Sequence, residues 1–136
     1  MSRAFVIGMD FGTNTARALI VDAGTGEEIA TAVREYPHGN HGVITDAKNP
    51  TVARHHPEDY VTATIGSIAE ALENAAGSTG FSPERVIGIG LDATASTPVP
   101  LDENGMPVAF QDRFADNPNA MAWLWKDHGS AAEAEE

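Results

Sequence analysis

The distribution of apolar and polar residues along the first third of the chain predicts strands joined by short loops. Residues 5–10 form a continuous apolar run closed by an aspartate, as in a buried strand. Residues 15–22 alternate, and residues 28–36 alternate until Pro37 ends the segment. Because the connections are too short for a crossover, the pattern predicts an antiparallel three-strand meander.

A helix and a further strand follow a long loop at residues 37–57. Pro57, with two acids directly after it, is typical of a helix start. The predicted buried stripe of this helix consists of Val61, Ile65, Ile68, Leu72 and Ala75. Residues 86–92 (VIGIGLD) are apolar on both faces, which predicts a central strand parallel to a neighbour.

The last third of the chain predicts shorter elements. Residues 97–101 read as an edge strand because of their prolines, followed by an Asn-Gly hairpin turn and a returning segment at residues 107–110. Apolar spacing after an Asn-Pro pair predicts a helix over residues 119–127. The helix-forming tail at residues 129–136 predicts the opening of another helix.

The order of these elements indicates the fold class. Three antiparallel strands, a helix and a central strand make an α/β domain with a mixed sheet. This is the order of a ribonuclease-H-like, or actin-like ATPase, half-domain.

Composition narrows the class of protein. The 136 residues carry a net charge of −12, which argues against a nucleic-acid-binding surface. No cysteine is present, so neither a disulfide framework nor a thiolate metal site can form. The N-terminal apolar run is too short for a signal peptide or a membrane span, so we expect a cytoplasmic protein without membrane partners.

The stretch IGMDFGTNTAR, residues 7–17, places an acid, a glycine, small polar residues and a cation around one turn. A carboxylate at a strand end can hold a hard cation, and the backbone N–H groups of such a turn can surround an anion. The set suits Mg²⁺ with a polyphosphate, and the alternative is a plain hairpin turn. Its members are Asp10, Gly12, Thr13, Asn14, Thr15 and Arg17.

Two further stretches carry candidate chemistry. Asp92 closes VIGIGLD as Asp10 closes FVIGMD, so parallel neighbours would bring two acids to one edge, before a small-residue loop that suits a polyhydroxylated ligand. In NAMAWLWKDH we expect one of Trp123 and Trp125 in the core and the other free to stack on a sugar ring, with the following Lys-Asp-His triplet near hydroxyls. The alternatives are a strand-capping turn and a solvated helix face.

The other histidines do not predict a metal site. His38 and His41 lie in a glycine-rich loop, and His55 and His56 are adjacent and would point apart. We interpret all four as histidines of a surface loop.

Taken together, these stretches resemble the FGGY carbohydrate kinases of the actin-like ATPase superfamily. The resemblance covers nearly the whole chain, and the loop from His38 to His56 is its least decisive part. The stretches that carry it are residues 7–39, residues 87–109 and residues 114–128 (FADNPNAMAWLWKDH), the last being the most specific. It implies transfer of the γ-phosphoryl group of ATP, with Mg²⁺, to a terminal hydroxyl of a ketopentose, L-ribulose, in arabinose breakdown.

The resemblance also implies roles for individual residues. Asp10 would belong to the Mg²⁺ site, and the turn after it, with Arg17, would be the first phosphate loop. The implied substrate-side residues are Asp92, Ala95, Ser96, Trp125, Lys126 and Asp127. Positioning and charge neutralisation would carry most of the catalysis.

Members of this family are several times longer, with the general-base aspartate later in the first domain and the adenine site mainly in a second. We therefore expect residues 1–136 to be the N-terminal part of the first kinase domain, without turnover on their own and with an exposed sheet edge that favours self-association. The alternatives are another FGGY pentulose or polyol kinase, a non-catalytic sugar sensor, and a two-metal nuclease using Asp10 and Asp92.

Overall fold

The computed structural model describes residues 3–136, which fall into two compact units. One unit holds the described residues up to Glu35 together with Val61–Ala93, and the other holds Tyr36–Tyr60 and Thr94–Glu136. The strands are β1 (Phe5–Phe11), β2 (Thr15–Asp22), β3 (Glu28–Glu35), β4 (Arg54–His55), β5 (Val86–Ala93) and β6 (Ala122–Trp123), and the α-helices are α1 (Pro57–Ala75) and α2 (Ala131–Ala134). Short 3₁₀ turns cover Pro83–Arg85, Val108–Phe110, Asp112–Phe114 and Pro118–Ala120.

The first unit is built on a mixed sheet with the order β3-β2-β1-β5 among the described residues. β1, β2 and β3 are antiparallel neighbours, and β5 runs parallel to β1. Alternation along β1 and β2 buries one set of side chains, including Phe5, Met9 and Ile20, on the same face. The predicted meander and α/β fold class are confirmed.

β5 differs from its prediction in position. It is parallel to β1, as expected, but it lies at the edge of the sheet within residues 3–136 rather than at its centre. Ile87, Ile89 and Leu91 are between 57% and 73% exposed. Both faces of β5 are apolar in sequence, but no described strand or helix covers them. The prediction of a central strand was therefore wrong.

The buried face of α1 also differs from its prediction. α1 begins at Pro57 as expected, yet Val61 and Ile65 are 50% and 66% exposed. The residues buried along the part of α1 that belongs to the first unit are Ala63, Ser67, Ala71 and Ala75. Small side chains at every fourth position let a helix approach a sheet closely, and this outweighs the greater hydrophobicity of the other face.

Polar contacts to the sheet support this orientation of α1. The Ser67 hydroxyl lies 4.0 Å from the Met9 sulfur, and the Asn74 amide donates to the Thr31 carbonyl at 3.2 Å. Arg34 of β3 forms an ion pair with Glu70 at 2.5 Å. Contacts to β1 and β3 therefore define the face of α1 that meets the sheet.

The second unit is irregular, and two predicted elements are absent from it. Residues 97–101 do not form a strand, because prolines at positions 98 and 100 remove two ladder donors, and only a bridge from Leu101 to Pro107 remains. The predicted Asn-Gly turn between Leu101 and Pro107 is present, and the Gly105 N–H donates to the Asp102 carbonyl at 3.0 Å.

The predicted helix over residues 119–127 is wrong as well. A 3₁₀ turn at Pro118–Ala120 gives way to β6, which pairs antiparallel with β4. Beyond β6, the Leu124 N–H donates to the Ala53 carbonyl at 3.1 Å, and the His128 N–H donates to the Thr51 carbonyl at 2.9 Å. Strand pairing with a segment far away in sequence overrides the helical spacing.

The long loop at residues 37–57 supplies that pairing and is ordered by close packing. Gly42 has φ +84°, and a Cβ there would lie 2.7 Å from the Cβ of Tyr36. Val43 and Ala53 form a small core cluster with Leu124. In the described part of the chain, no helix combines the length and the apolar character that crossing a membrane would require.

Candidate functional site

The first candidate group lies where β1 and β5 end side by side. The two strands are parallel and in register, so Asp10 and Asp92 are direct neighbours across the ladder. Each strand is an apolar run whose last polar residue is a carboxylate, which is why both acids reach the same edge. The expectation that the fold brings these two carboxylates together is met.

Arg17 joins this group from β2. The hairpin register places Arg17 opposite Asp10, and its guanidinium donates to the Asp10 carboxylate at 3.2 Å. Both side chains are 53% exposed, so the pair is solvated and open to exchange for a ligand. The sequence analysis did not predict that these two residues pair, although the antiparallel register of a short hairpin places them opposite each other.

The group lines a cleft of about 520 Å³ in the first unit. Glycines on both strands leave its floor as bare backbone, since a Cβ at Gly8 or Gly90 would meet nothing within 4 Å. The residues that line it are Gly8, Met9, Asp10, Arg17, Leu19, Gly90, Leu91 and Asp92. Two carboxylates against one guanidinium leave a net negative charge, which attracts a hard cation.

The turn between β1 and β2 is tight but does not depend on glycine for its backbone. The Gly12 N–H donates to the Thr15 carbonyl at 2.9 Å, and Gly12 does not adopt a positive φ. A Cβ at Gly12 would lie 3.4 Å from that same oxygen, an ordinary van der Waals contact. Because Gly12 has no side chain, it leaves the backbone of the turn accessible to a ligand. In this turn Asn14 is exposed, and Thr13 and Thr15 are half-buried.

The second candidate group lies in the second unit. Thr94, Ala95, Ser96 and Trp125 line an open depression of about 390 Å³. Ser96 has φ +56°, the left-handed region that a non-glycine residue rarely adopts outside specialised loops. Three residues that the family resemblance assigned to the sugar, Ala95, Ser96 and Trp125, are therefore brought together.

The two tryptophans of this segment have different environments. Trp125 is 54% exposed beside the depression. Trp123 is half-buried, and the guanidinium carbon of Arg54 lies 3.8 Å from the centre of its ring. Trp125 is thus the exposed indole of the two, and Trp123 is a packing residue.

Asp127 and Lys126 follow directly. The Asp127 side chain is only 5% exposed, forms an ion pair with Arg54 and accepts the Ala53 N–H at 2.6 Å. Its other oxygen accepts the Gly129 N–H at 3.0 Å. Lys126 is half-buried. The part of Arg54 in this network was missed, because no local pattern connects it with an aspartate so distant in sequence.

The histidines of the loop at residues 37–57 are not all at the surface, which corrects their interpretation. His55 and His56 are 0% and 8% exposed, and the His55 ring nitrogen Nδ1 lies 2.7 Å from the Tyr60 hydroxyl. His38 meets the buried Asp59 carboxylate at 2.5 Å. Burial lowers the pKa of His56, with a further contribution from His38, and burial together with the Asp59 charge raises the pKa of Tyr60 to about 12.

His38, His56 and Glu58 could each offer a ligand atom to a metal, with these atoms within 4.8 Å of one another. The two imidazoles are stacked, however, with centroids 4.2 Å apart and planes inclined by 18°. Lone pairs of ring nitrogens lie in the ring planes, so two nearly parallel rings do not direct them to one ion. The arrangement is that of a packed histidine pair held by Asp59.

The sheet order, the meander and the helix before a parallel strand define an α/β domain of the actin-like ATPase class. Its carboxylates stand where parallel strands end, the usual ligand edge of such sheets. The amino-acid sequence matches, at residues 5–135, the N-terminal domain of the FGGY family of carbohydrate kinases. The chain belongs to this family, as its sequence predicted.

Curated relatives support this assignment. The chain is 45% identical over 130 residues to a ribulokinase of Vibrio parahaemolyticus, covering 96% of this chain and 22% of that protein. It is 36% identical over 138 residues to a ribulokinase of Geobacillus thermodenitrificans, covering 98% of this chain and 24% of that protein. The chain therefore spans between about a fifth and a quarter of the curated relatives that it matches.

Solved structures agree on the fold. A gluconate kinase from Lactobacillus acidophilus matches with a TM-score of 0.71 at 16% identity, over 98% of this chain and 22% of that chain. A ligand-bound xylulose kinase from the same organism matches with a TM-score of 0.70 at 16% identity, over 97% of this chain and 22% of that chain. At these identities the likeness supports the fold alone.

Proposed function

We propose that this chain is the N-terminal part of an ATP-dependent ribulokinase, which phosphorylates L-ribulose to L-ribulose 5-phosphate. The observation that carries the proposal is the arrangement of Asp10, Arg17 and Asp92 at one strand edge of an FGGY N-terminal domain. The specific sugar follows from the similarity to ribulokinases over nearly the whole chain.

The residues present fit Mg²⁺ and a polyphosphate. Asp10 offers a half-exposed carboxylate in an open cleft, and carboxylate oxygens are preferred Mg²⁺ ligands. When bound, Mg²⁺ would neutralise charge on the transferring phosphoryl group. Asp10 would hold it directly or through water, and the turn with Gly12, Thr13, Asn14 and Thr15 would contact the phosphates through N–H and hydroxyl groups.

Arg17 would exchange partners when the nucleotide arrives. Its guanidinium is held by Asp10, which keeps it near the phosphate turn. Once Asp10 also binds Mg²⁺, it is a weaker partner for Arg17 than a phosphate group is. A phosphate can accept two parallel, charge-assisted hydrogen bonds from the guanidinium. The ion pair with Asp10 therefore holds the Arg17 guanidinium close to the turn that would bind the phosphates.

The sugar side of the proposal rests on the second unit. The depression lined by Thr94, Ala95, Ser96 and Trp125 offers hydroxyl groups, an exposed indole and backbone to a small polyhydroxylated ligand. Lys126, in the same unit, would bond a hydroxyl of the substrate, and Asp92 remains a predicted substrate residue. Asp127 remains a predicted sugar-site residue, and its buried carboxylate points to an indirect role.

A coupled assay on the complete encoded protein tests the proposal. ADP formation is followed with ATP, Mg²⁺ and, in parallel reactions, L-ribulose, D-xylulose, glycerol and gluconate. We expect kcat/KM to be highest with L-ribulose. A clear preference for another of these substrates would assign the chain to a different FGGY kinase, and sugar binding without ADP formation would indicate a sugar sensor.

A second arm of the assay uses residues 1–136 alone. We expect no turnover, because the chain spans less than a quarter of the length of the two ribulokinases compared above. Robust ADP formation dependent on L-ribulose would overturn this part of the proposal.

A further inference from the structure

Arg54 is a buried cation with partners on every side. It is 2% exposed, and its guanidinium meets the Asp127 carboxylate, the Pro118 carbonyl at 3.0 Å and the Ala53 carbonyl at 3.3 Å. The indole of Trp123 covers one face of the guanidinium at 3.8 Å. A charge removed from water in this way is stable only when its hydrogen bonds are met, and here they are.

The partners of Arg54 bracket Trp125 in the sequence. Trp123 lies two residues before Trp125, and Asp127 lies two residues after it. Between these anchors the Leu124 N–H donates to the Ala53 carbonyl at 3.1 Å, and the Asp127 N–H donates to the Leu124 carbonyl at 2.8 Å. The backbone on both sides of Trp125 is therefore tied to the segment that carries Arg54.

Trp125 itself is the exposed member of this segment. It is 54% exposed and lines the depression with Thr94, Ala95 and Ser96. The backbone sets the direction in which the Trp125 side chain leaves the chain, so a shift of this segment would move the indole relative to the depression. The anchors on either side limit that shift.

We propose that Arg54 is a positioning residue for the sugar: with Asp127 it clamps residues 123–127 so that the Trp125 indole keeps its place beside the Thr94–Ala95–Ser96 loop. The inference rests on the proposed sugar kinase function and assigns Asp127 the role of anchor. An arginine is required because only a planar guanidinium can stack on Trp123 while its edge donates to a carboxylate and to carbonyls.

The closing experiment combines kinetics with a signal from Trp125 itself. In the complete protein, Arg54→Met should raise KM for L-ribulose about tenfold or more while KM for ATP stays unchanged, because a displaced stacking ring weakens only the sugar side. In the 136-residue chain labelled with 5-fluorotryptophan, the ¹⁹F resonance of Trp125, assigned with Trp125→Phe, should broaden or shift in Arg54→Met.

Two variants separate positioning from stability. The double variant Arg54→Met/Asp127→Leu removes both buried charges, so it should recover much of the thermal stability lost in Arg54→Met and still show the raised sugar KM. Arg113→Met is the matched control, because Arg113 also lies over an aromatic ring, Phe114, at 4.6 Å, and is not among the residues that line the depression. It should leave both readouts at wild-type values.

The outcomes are decisive and distinct. A wild-type sugar KM in the stable double variant, or an unchanged Trp125 resonance in Arg54→Met, would overturn the role of Arg54. An absence of kinase activity towards every sugar would count against the proposed function, and the ¹⁹F spectrum would then decide the clamp by itself: a changed Trp125 signal supports it and an unchanged one refutes it.

Discussion

Asp10 and Asp92 stand directly opposite each other on adjacent parallel strands, in a register that holds from Val6 and Gly88 onward. Neighbouring carboxylates at a strand edge repel each other unless a cation lies nearby, and here the Arg17 guanidinium is bonded to one of them. As proposed above, a divalent cation bound at this edge would reduce the repulsion between the two carboxylates.

The first prediction concerns Asp10. In the complete protein, Asp10→Asn should lower kcat by about 100-fold, because it removes a charge that fixes Mg²⁺ and the transferring phosphate. The measurement is the coupled assay across a Mg²⁺ titration. Asp116→Asn removes an exposed carboxylate that is not among the residues lining the cleft, and it should behave as wild type; equal effects of the two substitutions would refute the role of Asp10.

The second prediction concerns Arg17. Because its ion pair with Asp10 is solvated, Arg17→Met should change the free energy of unfolding of the 136-residue chain by less than about 1 kcal/mol in urea titration. In the complete protein the same change should raise KM for ATP while KM for the sugar stays constant. A large loss of stability with an unchanged KM for ATP would make Arg17 a structural residue only.

The third prediction tests the face of α1 that meets the sheet. Ala71→Leu should lower the free energy of unfolding by about 1–3 kcal/mol, because a larger side chain has no room on the buried small-residue face. Ile65→Ala, on the exposed face, should change it by about 0.5 kcal/mol or less in the isolated chain. Urea unfolding followed by circular dichroism measures both, and the reverse order would restore the stripe predicted from the sequence.

The fourth prediction concerns acid stability. The hydrogen bond from Arg3 at 2.5 Å, aided by the N–H groups of Gly24 and Thr25, lowers the pKa of the buried Asp22 below 3.8. Stabilisation by the ionised carboxylate is therefore complete above the unfolded-state pKa and is lost as the pH falls through the lower folded-state pKa. The difference in urea midpoint between wild type and Asp22→Asn should shrink from about pH 5 to about pH 2, and a constant difference would contradict this reasoning.

The fifth prediction concerns the edge strand β5. Ile87, Ile89 and Leu91 form an exposed apolar row on an unpaired strand edge within the described residues, so the isolated chain should self-associate as its concentration rises. Ile89→Lys should shift sedimentation-velocity profiles towards the monomer. Glu103→Lys, which alters charge at an exposed turn residue of the second unit, is the control and should leave the profiles unchanged.

Elements whose contacts are local could be predicted from the sequence. The meander at residues 5–36 follows from alternation and short turns, since two strands joined by a few residues can pair only as antiparallel neighbours. The meeting of Asp10 with Asp92 followed from similar reasoning about parallel strand ends. Both inferences use only the period of a strand and its direction.

Elements decided by distant partners could not be predicted in this way. The segment at residues 119–127 has helical spacing, but part of it pairs as a strand with Arg54 and His55. In addition, the buried guanidinium of Arg54 stacks on Trp123. The face of α1 depended on side-chain size against the sheet, which a hydrophobicity pattern does not encode. These two errors arose where a contact across many residues outweighed a local preference.

The unpaired edge of β5 has a practical consequence for protein engineering. A row of free backbone donors and acceptors next to a bare apolar surface is a receptor for a strand supplied by another molecule. A synthetic peptide with alternating β-branched residues could therefore complement this chain in trans. Residues 1–136 would then serve as one half of a split reporter whose halves assemble through a single strand.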